Sequence, residues 1–101
     1  MKVNKKNKRL VLKFVRQFCK RMKIGIPDIA LDVIYARPFE KYDYWAKYIH
    51  ADDLLVVNLE TQADKTILRY SIAHELTHKK HPRMEHGDKF TKLVDHYFKT
   101  A

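Results

Sequence analysis

The residues that could do chemistry stand together at His74-Glu75-Leu76-Thr77-His78. Two histidines four apart sit one turn apart on the same face of a helix, so both imidazoles can reach one metal ion. The glutamate beside the first histidine can meet a water held by that metal and take its proton. This is the H-E-x-x-H arrangement of zinc peptidases, and it has to lie on a helix to work. A catalytic zinc needs three protein ligands and one open position. His74 and His78 supply two, and the candidates for the third are His81, Glu85, His86, Asp88, Asp95 and His96. His81 follows His78 by three on the same helix and would reach round the ion awkwardly. His86 is preferred, because a turn near Pro82 lets a second helix begin against the first and deliver a ligand from another direction.

With Zn2+ held by His74, His78 and His86, Glu75 is the expected catalytic base, returning its proton to the leaving amine. The expected reaction is hydrolysis of a peptide bond in a protein or peptide substrate. A second electrophile is also needed for the tetrahedral intermediate, and Tyr97, His96 or a tyrosine from a β-hairpin are the candidates. The plainer reading is a helix with ordinary surface histidines and no metal. The motif's helical setting and the histidine that follows it favour the metal. A closed structural site would need a fourth ligand, and Cys19 is a poor one on the apolar face of its own helix.

The surrounding elements must position these groups. Apolar residues at Leu10, Val11, Phe14, Val15, Phe18 and Met22 mark an amphipathic helix over about residues 5–23, ended by Gly25 and Pro27. Residues 28–37 are rich in β-formers and read as a strand ending near Pro38. Residues 44–49 and 54–59 flank Ala51-Asp52-Asp53 as a hairpin, with the second strand the more buried. The aromatic residues of this hairpin read as packing rather than as catalytic groups. Helical periodicity returns from Lys65 to about Lys80, with Thr61 and Asp64 as N-cap candidates, and carries the motif near its C-terminal end. A last helix opens at His86 and buries Phe90, Leu93, Val94, Tyr97 and Phe98. The order is α-β-β-β-α-α, a small α+β fold with a three-stranded sheet.

At 101 residues the chain has room for one modest core, so a single domain over 1–101 is expected. An apolar content of 46% with two Gly and three Pro argues for a globular chain over a disordered one. One cysteine excludes an internal disulfide, and no apolar run approaches a membrane span, so a cytoplasmic location is expected. The net charge of +9 is placed unevenly. Residues 1–23 carry ten Lys/Arg and no acid, while the remainder carries 11 Lys/Arg against 12 Asp/Glu. The basic face of the first helix reads either as a solvated surface or as a patch for phosphate backbones, which makes DNA a candidate partner. No aromatic residues interleave on that face, so base stacking is not indicated.

The motif, its short spacer and His86-Gly87-Asp88-Lys89-Phe90 together resemble the SprT-like and Wss1/YgjP-like zinc metallopeptidases, specifically over about residues 66–94. Their pattern is H-E-L-x-H, a variable spacer, then a third histidine four residues before an aromatic. The resemblance implies a minimal zincin-like domain, with His74, His78 and His86 as zinc ligands, Glu75 as base and protein as substrate. Several members of that group degrade proteins crosslinked to DNA, which would suit the basic first helix. Thr91 stands where a tryptophan is common in the group, and no zinc ribbon or other DNA-binding module is expected. The run Arg69 to Pro82 is also similar to the ImmA/IrrE group of repressor-cleaving metallopeptidases. That likeness implies a glutamate as third ligand on the following helix, and Thr77 stands where that group usually has Gly. A third possibility, from another class, is a non-catalytic DNA- or partner-binding protein on a zincin fold.

Overall fold

A computed structural model of the protein describes residues 1–31 and 46–101. Its elements are helix α1 (Lys5–Met22), strands β1 (Asp28–Leu31), β2 (Ala46–Ile49) and β3 (Leu54–Val57), and helices α2 (Lys65–Lys80) and α3 (Asp88–Thr100). The fold is α+β, as the residue pattern indicates. The sheet order is β1-β3-β2, with β3 parallel to β1 and antiparallel to β2. The expected hairpin is present: β2 and β3 pair Ala46 with Val57 and Ile49 with Leu54 across a 3-10 turn at His50–Asp52. Of the strand expected over 28–37, β1 covers Asp28–Leu31, and residues 32–37 lie outside the described residues.

α1 begins at Asn4, whose side chain accepts from the Asn7 amide at 2.8 Å. It ends at Met22, within a residue of the expected end, and Lys23 rather than Gly25 closes it. Lys23 takes the left-handed conformation (φ 59°, ψ 48°), and the Ile24 amide turns back to the Cys19 carbonyl at 3.0 Å. This is the helix-closing turn usually given to glycine, and here Gly25 follows it. The apolar face of α1 supplies Val11, Phe14, Val15, Phe18, Cys19 and Met22 to one core. That core continues through Leu55, Val57, Leu59, Leu68, Ile72, Leu76, Phe90 and Val94. β3 is the central strand, and Leu55, Val56 and Val57 are all buried on it, which explains its unbroken apolar run.

α2 packs against α1, α3 and β2, and so occupies the middle of the molecule. Asp64 caps it, accepting from the Ile67 amide at 2.9 Å, while Thr61 instead donates to the Asn58 carbonyl. Arg69 lies between the rings of Phe18 and Phe98, 4.9 and 4.5 Å from their centroids, and so ties α1 to α3 across the helix. Among the described residues no helix is long and apolar enough to cross a membrane.

Candidate metal centre

The five residues of the motif divide by side. Leu76 and Thr77 point into the core and are fully buried, and the Thr77 hydroxyl donates to the Ala73 carbonyl one turn back at 2.7 Å. His74, Glu75 and His78 are half-buried on the opposite side, facing β2 and the turn before α3. The helical period that makes the core face thus presents the three polar groups together.

His86 arrives from outside the motif helix. It lies in the turn that precedes α3, not on a helix as its sequence pattern suggests, because α3 begins at Asp88 with Gly87 as its N-cap. The turn still brings its ring to the others. The Nε2 atoms of His78 and His74 are 3.3 Å apart, and those of His86 and His78 are 2.9 Å apart. Ligand atoms of all three lie within 4.8 Å of one another, the one such group of three or more His, Cys, Asp or Glu among the described residues. Phe90 is 1% exposed and forms the floor beneath them. Its ring stacks on His78 at 4.4 Å between centroids and meets His74 and His86 edge-on at 5.0 and 5.2 Å. The first turn of α3 thereby fixes the directions of three imidazoles.

This donor set suits a metal ion. Two nitrogens bonded to one tetrahedral zinc at about 2.0–2.1 Å stand about 3.3 Å apart, close to the observed spacings. A ligating imidazole must be neutral. Burial, followed by the neighbouring His74, His86 and His50 rings, pushes the His78 pKa down to about 4. Burial and His86 lower that of His74 as well. Both therefore keep an open lone pair at neutral pH.

Glu75 is oriented by the sheet. The Tyr48 backbone amide, on β2, donates to its Oε2 at 3.0 Å, and its Oε1 lies 4.0 Å from His74 Nε2. One carboxylate oxygen is thus tethered while the other looks toward the imidazoles. Burial raises the Glu75 pKa to about 7 against the opposing pull of the Tyr48 amide and Lys47, near the value that suits a group moving protons at neutral pH.

The other candidates lie elsewhere. His81 Nε2 is 3.2 Å from the Tyr97 hydroxyl, and His96 Nε2 is 3.1 Å from Arg21, so His81, His96 and Tyr97 serve a cluster between α1, α3 and the end of α2. Asp95 accepts from the Tyr70 hydroxyl at 3.2 Å. Glu85 and Asp88 are exposed and outside the histidine group. Of the hairpin tyrosines, Tyr48 has its hydroxyl on Asp53, and Tyr44 lies outside the described residues. Sequence reasoning missed the amide of Tyr48, since a backbone donor carries no residue signature.

These features define a class before they define a family: an α+β metallopeptidase domain, which a YgjP-like, metallopeptidase domain family matches over residues 3–101. The chain belongs to the YgjP-like family. No curated protein and no solved structure matches it. Membership makes the chain a metallopeptidase, with a metal cofactor and protein as its class of substrate.

Proposed function

We propose that the protein is a zinc-dependent peptidase in which His74, His78 and His86 hold the metal and Glu75 is the general base. The observation that carries this is the convergence of three imidazole nitrogens beside a carboxylate whose Oε1 faces them, in a chain of this family. When bound, zinc supplies a Lewis acid that polarises the scissile carbonyl and acidifies water. Glu75 takes a proton at Oε1 while the Tyr48 amide holds Oε2, and a pKa near neutrality lets it hand that proton to the leaving amine. The buried Phe90 ring keeps water from the rear of the histidine cluster. The deciding experiment is hydrolysis of fluorogenic casein by the zinc-loaded protein, before and after chelation. Activity that is lost to chelator and restored by zinc supports this function; a loaded protein that cleaves nothing refutes it and favours a binding role.

The repressor-cleaving alternative expects a glutamate ligand on the helix after the motif, and α3 contains none. A DNA-associated substrate has one observation in its favour. Lys5, Arg9, Lys13, Arg16 and Lys20 recur every three or four residues along the exposed side of α1, opposite its core face. Such a row suits a phosphate backbone. A DNA mobility shift that weakens with salt, and is lost when Lys13, Arg16, Lys20 and Arg21 are changed to Ala, tests it; unchanged affinity removes DNA from the proposal.

A further inference from the structure

We propose that Lys79, Asp53 and the Tyr48 hydroxyl form a clamp that positions the Glu75 carboxylate, making Asp53 a positioning residue of the site. The inference rests on the reading of Glu75 as base. Glu75 and Lys79 are four residues apart and share a face of α2. Glu75 reaches Tyr48 directly, and Lys79 reaches it through Asp53. The Tyr48 backbone amide donates to Glu75 Oε2 at 3.0 Å, and the Tyr48 hydroxyl donates to Asp53 Oδ1 at 2.5 Å. Lys79 Nζ donates to that same Oδ1 at 2.8 Å. One residue of β2 is therefore fastened to two successive turns of the motif helix, once directly and once through the hairpin turn.

Several observations single out this set as more than a surface ion pair. Asp53 is the residue that closes the β2–β3 turn, and its carbonyl also accepts from the Asp28 amide of β1 at 2.9 Å, so the turn is tied to the far edge strand. Its backbone is left-handed (φ 45°, ψ 52°). Gly or Asn would serve that conformation at least as well, so the backbone alone does not call for a carboxylate. The side chain of Lys79 is largely covered, at 15% exposed, while that of Asp53 is open, at 53%. A pair this exposed adds little to stability. Its consequence is geometric: if β2 slides or rolls along α2, the Tyr48 amide leaves Oε2, and Oε1 loses its bearing on the histidines. Burial and the Asp53 hydrogen bond raise the Tyr48 pKa to about 12, keeping the phenol a donor throughout the working range.

The test uses the full chain with Asp53→Gly, Tyr48→Phe and the double variant. Gly removes the acceptor for both Tyr48 and Lys79 and suits the left-handed backbone. In the zinc-loaded protein each single change should lower kcat about tenfold, since misplacement of a reacting group by about 1 Å costs up to about 100-fold. KM should move less than twofold and zinc stoichiometry should stay at the wild-type value. The double variant should be no slower than the worse single one, because both remove the same bond. Hydrogen exchange at the Tyr48 amide reads the clamp without turnover, and Asp53→Gly should speed it about tenfold. Exchange at the wild-type rate overturns the clamp whether or not the protein cleaves substrate. So does a kcat within twofold of wild type in both single variants of an active enzyme. A wild-type enzyme that is inactive with zinc would instead count against Glu75 as base, with the exchange measurement still deciding the clamp.

Discussion

Glu75→Gln separates the chemical role of this carboxylate from its cost to the fold. Burial raises its pKa from 4.5 to about 7 in the metal-free protein. At about 1.4 kcal/mol per pH unit, ionising it inside the fold costs on the order of 3 kcal/mol. The sign follows from which state binds the proton more tightly. Below pH 4.5 the group is protonated folded or unfolded, and there is no cost. Between 4.5 and 7 the folded state holds the extra proton, so stability falls as pH rises, and the full cost applies above 7. Gln cannot ionise, yet its carbonyl can still accept from the Tyr48 amide. Chelated Glu75→Gln should therefore gain stability over chelated wild type as pH rises from 5 to 8, by about 2–3 kcal/mol, or roughly 10 °C in melting temperature for a chain of this size. Zinc-loaded, the same variant should bind metal with wild-type stoichiometry and lose about 100- to 10,000-fold in kcat. Thermal melts at the two pH values, metal analysis and the casein assay give the three readings. A melting difference that does not change with pH would refute the buried, elevated carboxylate. A variant that keeps a tenth or more of the activity would refute the base.

Other perturbations test the scaffold. His86→Ala removes an exposed turn residue, so the chelated protein should melt within about 0.5 kcal/mol of wild type. Its zinc affinity should nevertheless fall more than about 100-fold by competition titration, beyond the loss typical of a residue that merely orients a ligand. Phe90→Ala deletes a ring that is 1% exposed and touches all three histidines. Denaturant unfolding should show a loss of about 3–5 kcal/mol, with zinc bound more weakly by whatever fraction folds. Lys23→Gly relieves a side chain held at φ 59° and should raise stability by up to about 1 kcal/mol in the same experiment, since Lys23 is exposed.

What could be read from the chain was local. The helical period places His74, Glu75 and His78 on one side and Leu76 and Thr77 on the other without reference to any other element. Asp64 as cap, the hairpin around residues 50–53 and the apolar face of α1 follow from similarly short-range rules. Tertiary structure decided what no spacing contains. Six side chains could have supplied a third ligand. The packing of Phe90 under α2, which carries the preceding turn with it, brings the ring of His86 and not the other five to His74 and His78. The left-handed residue that closes α1 is Lys23, two residues before the glycine, and nothing in the propensity of lysine indicates it. The parallel pairing of β1 with β3 is equally non-local. The bond from the Tyr48 amide to Glu75 joins residues 27 apart in sequence through a backbone group that every residue but proline carries. The polar groups of the proposed site are therefore written largely in five consecutive residues, while their orientation depends on a strand edge and a turn that only the folded chain brings to them.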